Sequence, residues 1–175
     1  MLMLQNPALK WGLFYGFFFI ILNTIFQFVA PRMIFTGALT TFLTFVMPIF
    51  CMVMAGREIR ELQEGYLSFG EGVKHTFLVW AIGTLLSILH QYIQIHFLDP
   101  SLLELQKEVV LESGQMLGDL FGLNEEIQDD MNDQLAAAAD ELEHQTVGSA
   151  ISAWMGGCIF GIILSMIISA IIKKN

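Results

Sequence analysis

The side chains able to do chemistry are few, and most are amides and imidazoles rather than charges. His90 and Gln94 stand four residues apart, as do Asn23 and Gln27, so each pair shares one face of a helix. Counted from the outer ends of their helices, His90 matches Asn23 in depth and Gln94 matches Gln27. The four are therefore expected to converge in the outer half of a bundle. Polar groups buried in lipid are costly and often functional, so a small-solute or headgroup site is one reading. Hydrogen bonding between helices is the other. Metal chemistry finds little support. Glu141-Leu142-Glu143-His144 supplies one Glu-x-x-His unit, whereas carboxylate metal sites in bundles use two with further carboxylates. Asp129, Asp130, Asn132 and Asp133 lack the spacing and glycine of a calcium loop. Neither a glycine-rich phosphate loop nor His-Glu-x-x-His nor Gly-x-Ser-x-Gly occurs. No catalytic residue, metal or cofactor is expected.

Those side chains must be held by four uncharged apolar stretches: Trp11 to Val29, Ile34 to Ala55, Thr76 to Leu98 and Ala150 to Ile172. None contains Asp, Glu, Lys or Arg. At ~1.5 Å of rise per residue, a helix of that length crosses a ~30 Å hydrocarbon core. Only helices or closed barrels satisfy their backbones in lipid, and these runs are too long for barrel strands. The fold class is all-α, a polytopic membrane protein with four transmembrane helices. The hydrophobic fraction of 55% and charged fraction of 14% agree, against ~45–50% and ~25% in soluble domains. Cys51 and Cys158 fall inside spans at different depths, which argues against a disulfide. The first span exceeds a signal-peptide core, and Phe28-Val29-Ala30 lacks the small residue of a cleavage site, so an uncleaved anchor is expected.

Charge gives the expected orientation. The side holding the N-terminus, the second loop and the C-terminus carries Lys10, Arg57, Arg60, Lys74, Lys173 and Lys174, and the other side only Arg32 and Lys107. The positive-inside bias places both termini in the cytoplasm. Thirteen of the 17 acids lie between Asp99 and Glu143, on the opposite side. Such a segment would repel nucleic acid and anionic headgroups.

Residues 1–98 form the first three spans, 99–148 an extramembrane unit, and 149–175 the fourth span with a short basic end. Gly12 and Gly16 make a Gly-x-x-x-Gly pair in the first helix. Pro48 deprives the Thr44 carbonyl of its partner and predicts a kink in the second. Ser68 and Glu71 form a capping box that starts the third helix. Asp99-Pro100 starts another. From there Leu102/Leu103, Val109/Val110 and Met116/Leu117 recur every seven residues. Gly122 breaks that helix, and a second carries Ile127, Met131, Leu135, Ala138 and Leu142. Together they predict an acidic helical hairpin whose apolar faces meet each other, another copy or a partner. In the fourth span, Ser149, Ala153, Gly157, Gly161, Ser165 and Ser169 form a four-residue series of small side chains, expected to pack as one face against a helix.

The four spans, Gly65-Tyr66-Leu67-Ser68-Phe69-Gly70 leading into the third, and Asp99-Pro100 after it resemble a bacterial family catalogued as domain of unknown function 4199. The resemblance runs from about Pro7 to Ile172. It implies an inner-membrane protein of the Bacteroidota and carries no catalytic residues over. The expected function is a non-enzymatic inner-membrane scaffold or accessory subunit. It would bind another envelope membrane protein, or form a homo-oligomer, through the acidic periplasmic hairpin and the small-residue face, with membrane lipids around it and no nucleic acid. The alternative is a small-solute or lipid transporter or channel-like component using Asn23, Gln27, His90 and Gln94. An enzyme acting on lipid-linked phosphate fits less well, because Arg32 and Lys107 are the sole outer cations.

Overall fold

A computed structural model describes residues 6–36, 38–122 and 124–173. Among them are seven α-helices: α1 (Pro7–Val29), α2 (Met33–Thr36), α3 (Ala38–Leu62), α4 (Phe69–Ile93), α5 (Ser101–Phe121), α6 (Glu125–Glu143) and α7 (Val147–Ile172). Four of these carry stretches long and apolar enough to cross a membrane: Pro7–Val29, Phe42–Leu62, Phe69–Leu98 and Val147–Ile172. The second expected span falls on α2 and α3, on either side of residue 37, which lies outside the described residues, and α3 continues past Ala55 to Leu62.

Local chemistry sets the boundaries. Asn6 accepts the Ala8 amide (3.0 Å) and Pro7 opens α1, where its missing N–H has no partner to lose. The α3 terminus closes as a Schellman motif, with Gly65 N–H bonded to the Arg60 carbonyl (2.9 Å) and both Glu64 (φ 56°) and Gly65 (φ 92°) left-handed. Ser68 caps α4 by accepting the Glu71 amide (3.3 Å). Its hydroxyl donates to the Glu71 carboxylate (2.9 Å), in place of the carboxylate returning to the Ser68 backbone. At α7 the reciprocal box is complete: Ser149 N–H donates to Thr146 Oγ1 and Thr146 N–H to Ser149 Oγ.

The outer surface of the bundle is apolar. Phe14, Phe17, Ile21, Ile25 and Phe28 form one exposed stripe on α1, while Gly12, Tyr15, Gly16 and Phe19 are buried on the other face. A stripe of that kind suits acyl chains and would be an aggregation surface in water. The chain is a helical membrane-spanning bundle.

Within it α4 is central, packing on α1, α3 and α7. Glycines set how closely the helices approach. A Cβ on Gly12 would meet Ile82 at 3.0 Å, and one on Gly16 would meet Leu86 at 2.7 Å. Reciprocally, Gly83 of α4 receives the Tyr15 ring, and Gly161 of α7 receives Trp80. These pairings make α1 and α4 parallel neighbours and α4 and α7 antiparallel ones. Pro48 lies buried inside α3.

The small-residue series of α7 does not act as a single face. Gly161, Ser165 and Ser169 are buried, with Gly161 against Trp80 and Ser169 against Gly72 and Thr76 of α4. Ser149, Ala153 and Gly157 are exposed. The reason is geometric. Four residues advance ~400° around a helix, so each step of the series rotates ~40°, and five steps carry it ~200°, to the far side. The stripe that faces α4 instead runs through Trp154, Gly161 and Ser169, in steps of seven and eight residues, each about two helical turns.

This division predicts opposite outcomes for two similar substitutions. Gly161→Ala forces the Trp80 indole to move and should lower the thermal midpoint in detergent, at a cost of about 1–3 kcal/mol. Gly157→Ala has nothing within 4 Å of the new methyl and should be neutral or slightly stabilising through helix propensity. Equal midpoints for the two variants would contradict the packing.

Candidate functional site

The parallel register of α1 and α4 brings polar side chains together where the two helices approach α5. Gln94, 2% exposed, donates from Nε2 to Gln27 Oε1 (2.7 Å), and Gln27 Nε2 donates to Asp99 Oδ2 (3.2 Å). The other Asp99 oxygen accepts the Ser101 amide (3.2 Å) and hydroxyl (2.5 Å), capping α5. Between α4 and Asp99 the chain winds as a π-helix, Gln94–Leu98, closed by Asp99 N–H on the Gln94 carbonyl (2.8 Å). The wide turn keeps Gln94 facing α1 while redirecting the backbone toward α5. Pro100 lies in the turn that leads into α5.

His90 and Asn23 do not join that chain. Thr24 donates to the Ile20 carbonyl (2.7 Å) and stands 3.4 Å from His90 Nε2. With the threonine proton committed, the contact works as a hydrogen bond when His90 carries its proton on Nε2. That leaves the buried Nδ1, which has no partner among the described residues, as a bare lone pair. Asn23 turns to a cavity of ≈ 230 Å³ shared by α1, α3 and α4. The four expected residues therefore separate into an amide pair, an imidazole–threonine contact and a cavity wall.

Two clusters of ions fasten the ends. Arg32, in the turn after α1, pairs with Glu112 and with Glu108 of α5 (3.5 Å). Lys107 of α5 pairs with Glu143 of α6 (2.8 Å), and Gly114 faces Leu135, so α5 and α6 run antiparallel. At the opposite end of the bundle, Lys10 pairs with Glu58 of α3 (2.5 Å), which also accepts Trp11 Nε1–H (2.9 Å). Arg60 donates to the terminal Ile172 carbonyl of α7 (3.3 Å).

Charge states follow these contacts. Hydrogen bonds from the Ser101 hydroxyl and the Gln27 amide hold the Asp99 carboxyl below the usual range. Glu112 is lowered by its bond to Arg32, and Glu143 by its bond to Lys107. Among the described residues no group of three or more His, Cys, Asp or Glu side chains could hold a metal. Cys51 and Cys158 are both free thiols.

A family model described as "Protein of unknown function (DUF4199)" matches residues 10–174. The chain belongs to this family. No curated protein and no solved structure matches it. What this DUF4199 member does must therefore be read from its own geometry. The sequence pattern paired Gln27 with Gln94 by depth; it contained no sign of the π-helix, of Asp99 as the third member, or of Arg32 reaching α5. A Thr-x-x-Ser start at Thr146 was the available signal for the α7 capping box.

The lowered carboxylates give a signed pH dependence. Their stabilisation is present above the ordinary carboxylate range and is lost as pH falls through it and below. Acidification toward pH ~3 should therefore accelerate amide exchange across residues 101–143, after correction for intrinsic rates, while α1 and α4 stay protected. Arg32→Gln should produce the same loosening at pH ~7, and salt at about 0.5 M should weaken the exposed Arg32 contacts. Uniform protection under all three conditions would contradict an electrostatic attachment.

Proposed function

We propose that this protein is a non-enzymatic membrane scaffold or accessory subunit whose acidic helix pair, α5–α6, docks a partner protein bearing a basic surface. One observation carries the reading. α5 is tied to the bundle through Asp99, Arg32 and contact with α2, yet Met116 (71% exposed), Phe121 (71%) and Ile127 (51%) remain uncovered beside the carboxylates. Among the described residues, no cation pairs with Asp129, Asp130 or Asp133. An apolar patch ringed by unneutralised acid is a docking surface by composition, and the charge selects a basic partner.

A second copy of the chain is a poor occupant for that surface, because thirteen carboxylates between Asp99 and Glu143 would face thirteen others. Self-association, where it occurs, would use the exposed Ser149, Ala153 and Gly157 of α7. The bias of Lys and Arg toward the termini and the second loop supports an N-in, C-in orientation with α5–α6 outside. The family resemblance supports the inner membrane of a Gram-negative cell, which would make the acidic side periplasmic.

Purification from native membranes tests this reading. The wild-type chain should run with a second polypeptide that dissociates as salt rises, and the triple substitution Asp129→Asn, Asp130→Asn, Asp133→Asn should lose it while keeping its thermal midpoint. A monomer from native membranes, or a triple variant that retains the complex, would overturn the proposal. Reporter fusions near Asn124 and after Lys173 should report opposite sides of the membrane.

A further inference from the structure

We propose that the cavity between α1, α3 and α4 binds an uncharged hydrogen-bonding group, of the size and chemistry of a glyceryl unit, within the membrane-spanning bundle. Its volume of ≈ 230 Å³ far exceeds the ~10–15 Å³ that admits one water. None of its lining residues is charged. That disfavours phosphates, carboxylates and metal ions, which would be desolvated there without a counter-charge.

The polar groups on the wall divide into acceptors and donors. Four hydroxyls commit their protons to backbone carbonyls: Thr40 to Met33 (2.5 Å), Thr44 to Thr40 (2.8 Å), Thr84 to Trp80 (2.7 Å) and Ser87 to Gly83 (2.9 Å). What remains on each oxygen is accepting capacity, and Thr84 already takes the Trp154 indole N–H (3.0 Å). The donors are the Asn23 and Gln91 amides and the Tyr15 hydroxyl. Tyr15 is 4% exposed and Asn23 and Gln91 are half-buried, and all three line the cavity wall. Two amides and a phenol that open onto this space gain hydrogen bonds from a ligand that enters it. A ligand that both donates and accepts, and carries no charge, satisfies both sets together.

The cavity is not sealed. Thr44, on its wall, is exposed on the bundle surface between outward-facing Phe42 and Phe45, and Ile34 and Gln91 border it toward α5. An uncharged hydroxyl–ester group could thus be presented by a lipid glyceride entering sideways or by a free solute. The chemistry at the wall is the same, and the experiment separates the sources.

The test uses the full chain in phosphatidylcholine vesicles with Ser87→Cys, read as the rate of reaction with a small maleimide above the wild-type background set by Cys51 and Cys158. Added probes are glycerol and its charged counterpart glycerol 3-phosphate, and monoolein and its charged counterpart oleate. The variant should react, and one or both uncharged probes should slow it saturably while the charged ones do not. Protection by monoolein alone assigns a membrane glyceride, and protection by glycerol assigns a free group. Asn23→Leu or Gln91→Leu should each raise the half-saturating concentration about five- to tenfold, as expected for one lost hydrogen bond. Should either leucine variant fail to fold, the contrast between charged and uncharged probes still decides. No reaction at all, no protection by either uncharged probe, or equal protection by the charged ones would overturn the proposal.

Discussion

Close approach of α4 to its neighbours is the constraint on which the rest of this bundle depends. Lipid offers helices no hydrophobic reward for associating, so contact must come from van der Waals packing, and packing needs side chains small enough to admit a partner. Here the accommodation is reciprocal. Gly12 and Gly16 of α1 admit Ile82 and Leu86, while Gly83 of α4 admits the Tyr15 ring. Knobs and hollows on both helices fix the axial register as well as the separation. With the register fixed, Thr24 must stand beside His90 and Gln27 beside Gln94. The polar contacts are thus a consequence of packing below them, and Gln27 passes that register on to Asp99 and the start of α5.

Electrostatics then governs what the membrane-spanning part cannot. Residues 99–148 hold thirteen acids, and the cations available to them are Lys107 within the segment and Arg32 in the turn beside it. Lys107 joins α5 to α6, and Arg32 joins α5 to the bundle. The pairs are solvent-exposed, so each contributes little to stability and is open to screening. A unit held this way keeps its position through several weak contacts and leaves most of its negative charge outward. A surface of that kind carries a negative field that salt screens.

Much of this was legible in the sequence, and the failures have physical causes. Uncharged runs of about twenty residues revealed the spanning helices because the bilayer imposes one length and one solvent on them. Ser68-x-x-Glu71 located the α4 start, although the glutamate carboxylate bonds the serine hydroxyl and not its backbone. The six-member series of small residues in α7 misled, since a strict four-residue spacing drifts around a helix that turns every 3.6 residues. Only its Gly161, Ser165 and Ser169 portion is buried. The polar site was half visible. Depth counting paired Gln27 with Gln94 but sent Asn23 to His90, because counting along an axis gives height and not azimuth. The π-helix at Gln94–Leu98 left no mark in residue type, being a response of the backbone to the departure of α5.

The same packing explains why a cavity lies where it does. The contiguous hydrophobic core gathers Ala8, Met52, Ala55, Ile59, Leu67, Val79 and Ile172 toward the end of the bundle where Lys10 meets Glu58. Gly56 there admits Ile172 between α3 and α7, and Arg60 ties the α7 terminus to α3. Toward α5, the upper portion of α7 presents Ser149, Ala153 and Gly157 outward. Helices clasped at one end and relieved at the other enclose space between them, and the walls of that space are the hydroxyls and amides that a fully packed core would exclude. Threonines that bond their own helix tolerate this position, since a carbonyl of the preceding turn satisfies the proton. Asn23, Gln91 and Tyr15 share the wall with them, and their presence there is the feature that packing alone leaves unexplained.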